Sequence, residues 1–534
     1  MQLLSKDAPL GVSIEKMKKI IDNLGHTIEL SKEKNPVKNS FSINLSLKGA
    51  NNYIFSNGKG SCFNSCLASA YGEFIERLQT NLYFHDFYLE DRKFFKDQKE
   101  FMLHEEFLSK ELKQYYYNKE IEATDFLDFN SSQTDKIISL PFKNLQTKQE
   151  VYFPINLLAN LYTSNGLSTG NTKNEAKVQA LCEIFERYVK LKVIKETLVL
   201  PEFPQEVIEK FPKLLHDIKT LEEKGLKIKV YDASLDGVFP VTAIALINPT
   251  NHSLFLSFGS HPILEISLER TFTELLQGRE IDELDSFERP TFDKQEISST
   301  SNLESHFIDS NAKVGLHFLS SKKDFLYTPW KFHTQTSDKQ FVFLTNILDS
   351  LDKTIYLREY NYLDFYSCQI IVPNFSEIYP FEDLIYNNKN QGKLIRDFIL
   401  NQENYKQEDL LEVLSNFDDS LDVGSFIGVI FKKAFTLSEF KANILIKLKE
   451  YEEAIYYLEQ TNNSFNYMLA QILRATNQKL DISHFTEAFS LLFSKQDIKR
   501  AFDILGGKQS LISLEYSPIY KEILNLFDSK YDRS

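Results

Sequence analysis

Basic charge and cysteine are both scarce in this chain, and several activities drop out with them. Against 75 acidic residues stand 61 lysines and arginines, a formal net charge of −14 over 534 residues. A sequence-independent nucleic-acid binder needs a basic face to displace counterions from phosphates, so this balance argues against one. It suits a basic protein partner instead. The four cysteines, Cys62, Cys66, Cys182 and Cys368, form no C-x-x-C pair. They suggest no disulfide framework, which fits a reducing cytoplasm. They also lack the C-x-x-x-C-x-x-C spacing of a radical-generating iron–sulfur cluster, which excludes a direct methylthiotransferase. Cys62 and Cys66 stand one helical turn apart with no histidine nearby, and read as buried small residues rather than zinc ligands.

Long apolar runs are missing as well. No stretch approaches the ~18 residues of a membrane span, and the N-terminal MQLLSKDAPLGVSIEKMKK has no apolar signal-peptide core. A soluble, cytoplasmic protein is expected. No G-x-x-x-x-G-K-[ST] is present, because Gly58, Gly392 and Gly507, each followed by lysine, lack a glycine five positions upstream. H-E-x-x-H and G-x-S-x-G are absent too, the near-miss LHEEFL placing Leu108 where the second histidine would stand.

The chain has the length for two or three domains and the apolar content to fill them. As far as the stretch NNKNQGK, short β-branched and aromatic runs such as KIISLPF, GLKIKVYDAS and PVTAIALINP alternate with helical patterns. That describes an α+β or α/β domain over residues 1–402. Beyond it, KANILIKLKEYEEAIYYLEQ and SHFTEAFSLLFSKQDIKRAFDIL repeat their apolar residues near every 3.6 positions, so residues 403–534 are expected to be helical. Tyr451, Ala454 and Leu458 are spaced as in the second helix of a tetratricopeptide unit.

The strongest signal is an internal repeat. SNGKGSCFNSCLASAYGEFIER, from Ser56 to Arg77, has a relative about 110 residues on, TSNGLSTGNTKNEAKVQALCEIFER. Both read Ser-Asn-Gly, then another glycine, then a helical pattern ending Glu-x-x-Glu-Arg. Gly60 to Glu73 and Gly170 to Glu183 are equal intervals. Residues three apart share a helix face, so Glu73 with Glu76, and Glu183 with Glu186, can each present two carboxylates to one point. Four converging carboxylates repel one another by several kcal/mol at low effective dielectric, and hard cations such as magnesium relieve this. Arg77 and Arg187 can fork onto phosphate oxygens. The glycines are expected to let backbone N–H groups meet an anion at each helix N-terminus, with Lys59, Ser168, Asn171 and Thr172 assisting. Arg270 or Arg279 of ISLERTFTELLQGR could complete a phosphate cage. The implied ligand is a nucleoside triphosphate with magnesium. No spacing singles out a nucleophile or general base.

These segments, with YDASLDGVFPV, SFGSHP, NLESHFIDS and EIYPFEDL, resemble the YcaO family over nearly the whole chain. The resemblance implies an α+β ATP- and Mg2+-binding domain followed by a tetratricopeptide-like helical domain. It implies that ATP phosphorylates a backbone amide oxygen, or is hydrolysed. Glu73, Glu76, Glu183 and Glu186 match the family's magnesium and phosphate residues, and Arg187 and Arg270 its phosphate-binding arginines. Ser168, Asn171 and Glu175 match positions around the nucleotide, and Lys6 and Ser13 of KDAPLGVS also match nucleotide-facing positions. Azoline-forming members end in a proline-rich tail, whereas this chain ends LNLFDSKYDRS, and no leader-binding segment precedes Ser56. The likeness is closer to helical-tailed proteobacterial members. That implies a homodimer accessory to methylthiolation of a ribosomal small-subunit protein by the radical enzyme RimO. The alternative is a nucleotide-regulated scaffold whose tail docks protein partners.

Overall fold

The computed structural model describes residues 4–116, 120–284, 286–308, 312–332, 336–386 and 388–531. Asp309 and Ser310 of NLESHFIDS, the first residue of NNKNQGK and the last three residues of the chain lie outside them. Helix α1 (Leu10–Asn23) leads into a four-stranded sheet of β1 (Ile28–Leu30), β2 (Lys34–Val37), β3 (Ser40–Leu47) and β4 (Phe55–Gly60), with β3 paired to all three others. Helix α2 (Phe63–Gln79) follows. A second sheet takes β5 (Lys99–Met102), β6 (Lys136–Asn144), β7 (Glu150–Pro154) and β8 (Leu167–Gly170), after which the long helix α3 (Lys173–Lys195) begins. A third sheet orders β11 (Ser253–Ser260), β10 (Val241–Asn248) and β9 (Lys227–Asp232), and helices α4 (Leu264–Leu275) and α5 (Thr300–Ile308) come next. Finally β12 (Tyr356–Tyr360) and β13 (Tyr366–Ile371) return to lie between β6 and β8.

Every pairing between these strands is antiparallel. This decides for α+β over α/β, since parallel pairs need crossover helices. The third sheet shows how strand periodicity serves two cores. Ala243 and Ala245 of β10 pack in the cluster containing α3, whereas Ile244 and Leu246 join the cluster containing Leu268 and Phe272 of α4. Alternate side chains point to opposite faces, so the run from Ala243 to Leu246 is apolar on successive residues because both faces are covered.

The C-terminal region is helical, with helices Leu437–Leu448, Tyr451–Glu459, Ser464–Asn477, Lys495–Leu505 and Pro518–Tyr531. Ala454 and Leu458 are fully buried. One apolar cluster runs unbroken from Ile43, Phe74 and Phe84 to Phe440, Leu469 and Phe527. Phe527 packs edge-on against Phe84 with ring centroids 5.0 Å apart, so the last helix is seated on the body that holds the first two sheets.

Candidate functional site

The sequence repeat is a structural repeat. β4 ends at Gly60 and α2 starts at Phe63; β8 ends at Gly170 and α3 starts at Lys173. The two caps differ. Thr172 Oγ1 accepts from the Glu175 N–H at 3.2 Å, while Ser65 Oγ accepts from the Cys62 N–H at 3.1 Å.

The glycines have a packing role that the sequence-based expectation did not include. They sit in the strands and let each strand press against the helix that follows. A Cβ on Gly58 would strike Cys66 O and lie 2.7 Å from the Ala70 Cβ; one on Gly60 would lie 2.6 Å from Cys66 N; one on Gly170, 2.7 Å from Ala176 N. Gly60 and Gly170 also line the cleft described next. The carboxylates also lie far from the N-terminus of α2, since Phe63 to Glu73 is about 15 Å of helix rise.

One cleft of about 400 Å3 is lined by all eleven residues that the family resemblance picks out, Lys6, Ser13, Glu73, Glu76, Ser168, Asn171, Glu175, Glu183, Glu186, Arg187 and Arg270. They fall into two neighbourhoods. At one end Ser13 Oγ donates to Asn171 Oδ1 at 2.7 Å, and Asn171 Nδ2 donates to Glu175 at 3.0 and 3.1 Å. Buried Glu175 also accepts the Asp7 N–H at 2.8 Å and pairs with Lys6 at 3.4 Å. Ser168 is buried beside them, and Leu10, Met17, Ala68 and Phe365 supply apolar wall.

The other end is charged. Glu73 and Glu76 from α2 face Glu183 and Glu186 from α3, with Lys59 of β4 and Arg270 of α4 among them. Two of the carboxylates pair within their own helices: Glu73 with Arg77, and Glu183 with Arg187. Glu73 also accepts the Asn57 N–H at 3.2 Å. Arg187 is steadied by Ser164 Oγ at 3.3 Å, Arg270 by Ser260 O at 3.1 Å and by Gln179, and Lys59 by Glu274. Among the described residues, no three His, Cys, Asp or Glu side chains are gathered as a ready-made metal cluster.

The electrostatics nevertheless favour a cation. Burial holds the Glu76 carboxyl well above its usual pKa, and the neighbouring Glu183 and Glu73 charges push it further. Burial likewise raises Glu183 and Glu186, partly offset by Arg187 and Lys59. A divalent cation beside them would stabilise their ionised forms against this burial, and an all-oxygen donor set without His or Cys suits magnesium. These residues therefore fit Mg2+, and Glu73, Glu76, Glu183 and Glu186 are the ones that would hold it. Once bound, the ion would screen the carboxylates and draw phosphate oxygens towards them. The buried Nε of Arg77 has no hydrogen-bond partner, so this guanidinium retains donor capacity.

Several cleft residues escaped the sequence reading. Lys190 donates to His306 O at 2.6 Å, and burial lowers its pKa to about 8. Gln179, Ser164, Glu269, Glu274, Gln277 and Phe307 also line the cleft. The missed signal was the face of α3: Glu175, Gln179, Glu183, Glu186 and Lys190 recur every three or four residues, so extending the acidic pair by a turn in each direction finds Gln179 and Lys190. Arg279 does not belong with them. Its guanidinium stacks over Phe255 and Phe287 at 5.4 and 4.9 Å.

A cleft with a hydrogen-bonding end around the single Lys6–Glu175 pair and an end crowded with carboxylates and cations, built without a P-loop, defines a protein shaped for a polyphosphate carried with a hard cation. A family model described as a YcaO cyclodehydratase, ATP- and Mg2+-binding, matches residues 57–376. The chain belongs to the YcaO family, and ATP and Mg2+ are the family's ligands. It is 35% identical over 96% of its length to the ribosomal protein S12 methylthiotransferase accessory factor YcaO of Escherichia coli, covering 93% of that protein. It is 37% identical over 94% of its length to an uncharacterized protein of Haemophilus influenzae, covering 91% of it. A heterocyclase solved with substrate and cofactor superposes with a TM-score of 0.50 at 19% identity, covering 70% of this chain and 53% of the heterocyclase, a likeness of fold alone.

Proposed function

We propose that this protein is a cytoplasmic ATP- and Mg2+-dependent enzyme that hydrolyses ATP and activates a backbone amide by phosphorylation, in support of RimO-dependent β-methylthiolation of a ribosomal small-subunit protein. The supporting observation is the convergence of Glu73, Glu76, Glu183 and Glu186 from two equivalent helices on one cleft beside Lys59, Arg187 and Arg270. Phosphoryl transfer depends on positioning and charge neutralisation, and these groups supply both. The Lys6–Ser13–Asn171–Glu175 end holds the nucleoside, while Arg187 and Arg270 turn from their resting partners to the phosphates. The name of the Escherichia coli relative supports the accessory role. We place the ATP-binding domain at 1–402 and a tetratricopeptide-like domain at 403–534, in a homodimer.

Glu76→Gln and Glu186→Gln each lower magnesium-dependent ATP turnover at least about 100-fold while the protein stays folded. Unchanged turnover in both variants refutes the assignment. Mass spectrometry of ribosomal small-subunit proteins, from cells with and without the gene, tests the accessory role.

A second reading, a nucleotide-regulated scaffold, draws on the helix Thr486–Leu492, which buries none of its residues and leaves Leu491 and Leu492 exposed. A protein partner that is chemically altered only in the presence of ATP decides for the enzyme.

A further inference from the structure

The cleft has a direction, and one residue stands at its far end without a part in the site described so far. Along α3 the lining side chains run Glu175, Gln179, Glu183, Glu186, Lys190, about 22 Å of helix rise from first to last. The Glu175 end is satisfied by Ser13, Asn171 and Lys6. Anion-binding cations gather farther on, at Arg270, Arg187 and Lys59, so a nucleoside triphosphate seated on this face points its chain of phosphates towards Lys190.

Lys190 lies one turn beyond Glu186, on the same face. Its ammonium donates to the backbone carbonyl of His306 in α5 at 2.6 Å and sits 5.5 Å from the centroid of the Phe307 ring. Among the described residues no carboxylate within ion-pair distance neutralises it, unlike Lys6, Lys59, Arg77 and Arg187, which pair with Glu175, Glu274, Glu73 and Glu183. An ammonium has three N–H donors. The His306 carbonyl takes one and ties the amine to α5 where Lys190 lines the cleft, leaving the others for a ligand.

We propose that Lys190 is a further substrate-contacting residue whose ammonium binds the outermost phosphate of the nucleotide, so that it distinguishes a triphosphate from a diphosphate. This inference rests on the proposed function. It extends that reading from the carboxylate and arginine set to a point charge at the opposite end from the nucleoside, where an acceptor must approach. A lysine suits that position because an ammonium can follow a phosphate oxygen, whereas a guanidinium holds a fixed fork.

Calorimetric titration with Mg-ADP and with a magnesium-bound non-hydrolysable ATP analogue tests it, on the full-length protein and its Lys190→Gln and Lys190→Arg variants. Wild type is expected to bind the triphosphate more tightly than ADP. Lys190→Gln loses about tenfold in triphosphate affinity with ADP affinity unchanged, and Lys190→Arg recovers part of the loss. A Lys190→Gln variant that keeps the wild-type preference overturns the inference alone. Equal losses for both nucleotides also overturn it, since they reveal a merely structural tether to His306. A wild type that binds neither nucleotide overturns the functional assignment and this inference with it.

Discussion

Substituting Gly58 separates two roles for the glycines that precede the acidic helices. If they form a phosphate loop, Gly58→Ala impairs nucleotide binding and leaves the nucleotide-free protein as stable as before. The structure predicts the reverse order of effects. The new Cβ would lie 2.7 Å from the Ala70 Cβ and 2.8 Å from Ala70 N, and would strike Cys66 O. Carbon atoms settle about 3.5–4.0 Å apart, so α2 and β4 must separate by about 1 Å. Overpacking of this kind costs about 1–3 kcal/mol, and the upper end applies because the clash is with helix backbone rather than a movable side chain. Thermal melting without nucleotide should therefore fall by several degrees. The displaced helix carries Glu73 and Glu76, and a shift of about 1 Å at reacting groups can cost about 100-fold in turnover. Gly72→Ala in the same helix is the control. Its Cβ would meet only Thr169 Cγ2 at 3.4 Å, and replacing a mid-helix glycine gains about 0.5–1 kcal/mol. A Gly58→Ala protein that melts like wild type but no longer binds nucleotide would refute the packing account and restore the phosphate loop.

Two predictions concern the body that supports the site. Lys393 and Asp128 form a buried ion pair, their side chains 0% and 1% exposed, with Lys393 also donating to Asp128 O at 2.7 Å; Asp128→Ala strands the ammonium and should lower unfolding stability by about 3–5 kcal/mol in denaturant titrations, whereas a loss below about 1 kcal/mol contradicts this. Lys530 lies buried among Phe84, Phe95 and Phe527, and burial lowers its pKa from 10.5 to about 7. Between those values the folded chain binds fewer protons than the unfolded one, so this residue makes stability rise with pH across the window and fall as pH drops towards 7. Lys530→Met should raise the melting temperature at pH 7 and shrink the difference between pH 7 and pH 10; an unchanged difference refutes the assignment.

What the sequence determined by itself was the paired unit. Glu73 and Glu76, or Glu183 and Glu186, share a face because a helix repeats every 3.6 residues, and the matched interval back to Gly60 and Gly170 already described strand, turn and helix. Local periodicity is written in neighbouring residues, so it could be read without the fold. The helical tail was legible for the same reason. Tertiary structure alone decided that the two acidic faces meet over one cleft, that Gly58, Gly60 and Gly170 are helix–strand contacts, and that Arg270 joins the site while Arg279 stacks on Phe255 and Phe287. Each depends on which residues distant in the chain occupy the same space: the Cβ that Gly58 lacks would clash only because α2 packs there, and Lys190 gains its position from the His306 carbonyl more than a hundred residues away. The single cluster joining Phe84 to Phe527 was hidden likewise, since a buried apolar side chain carries no mark of the partner it will bury against.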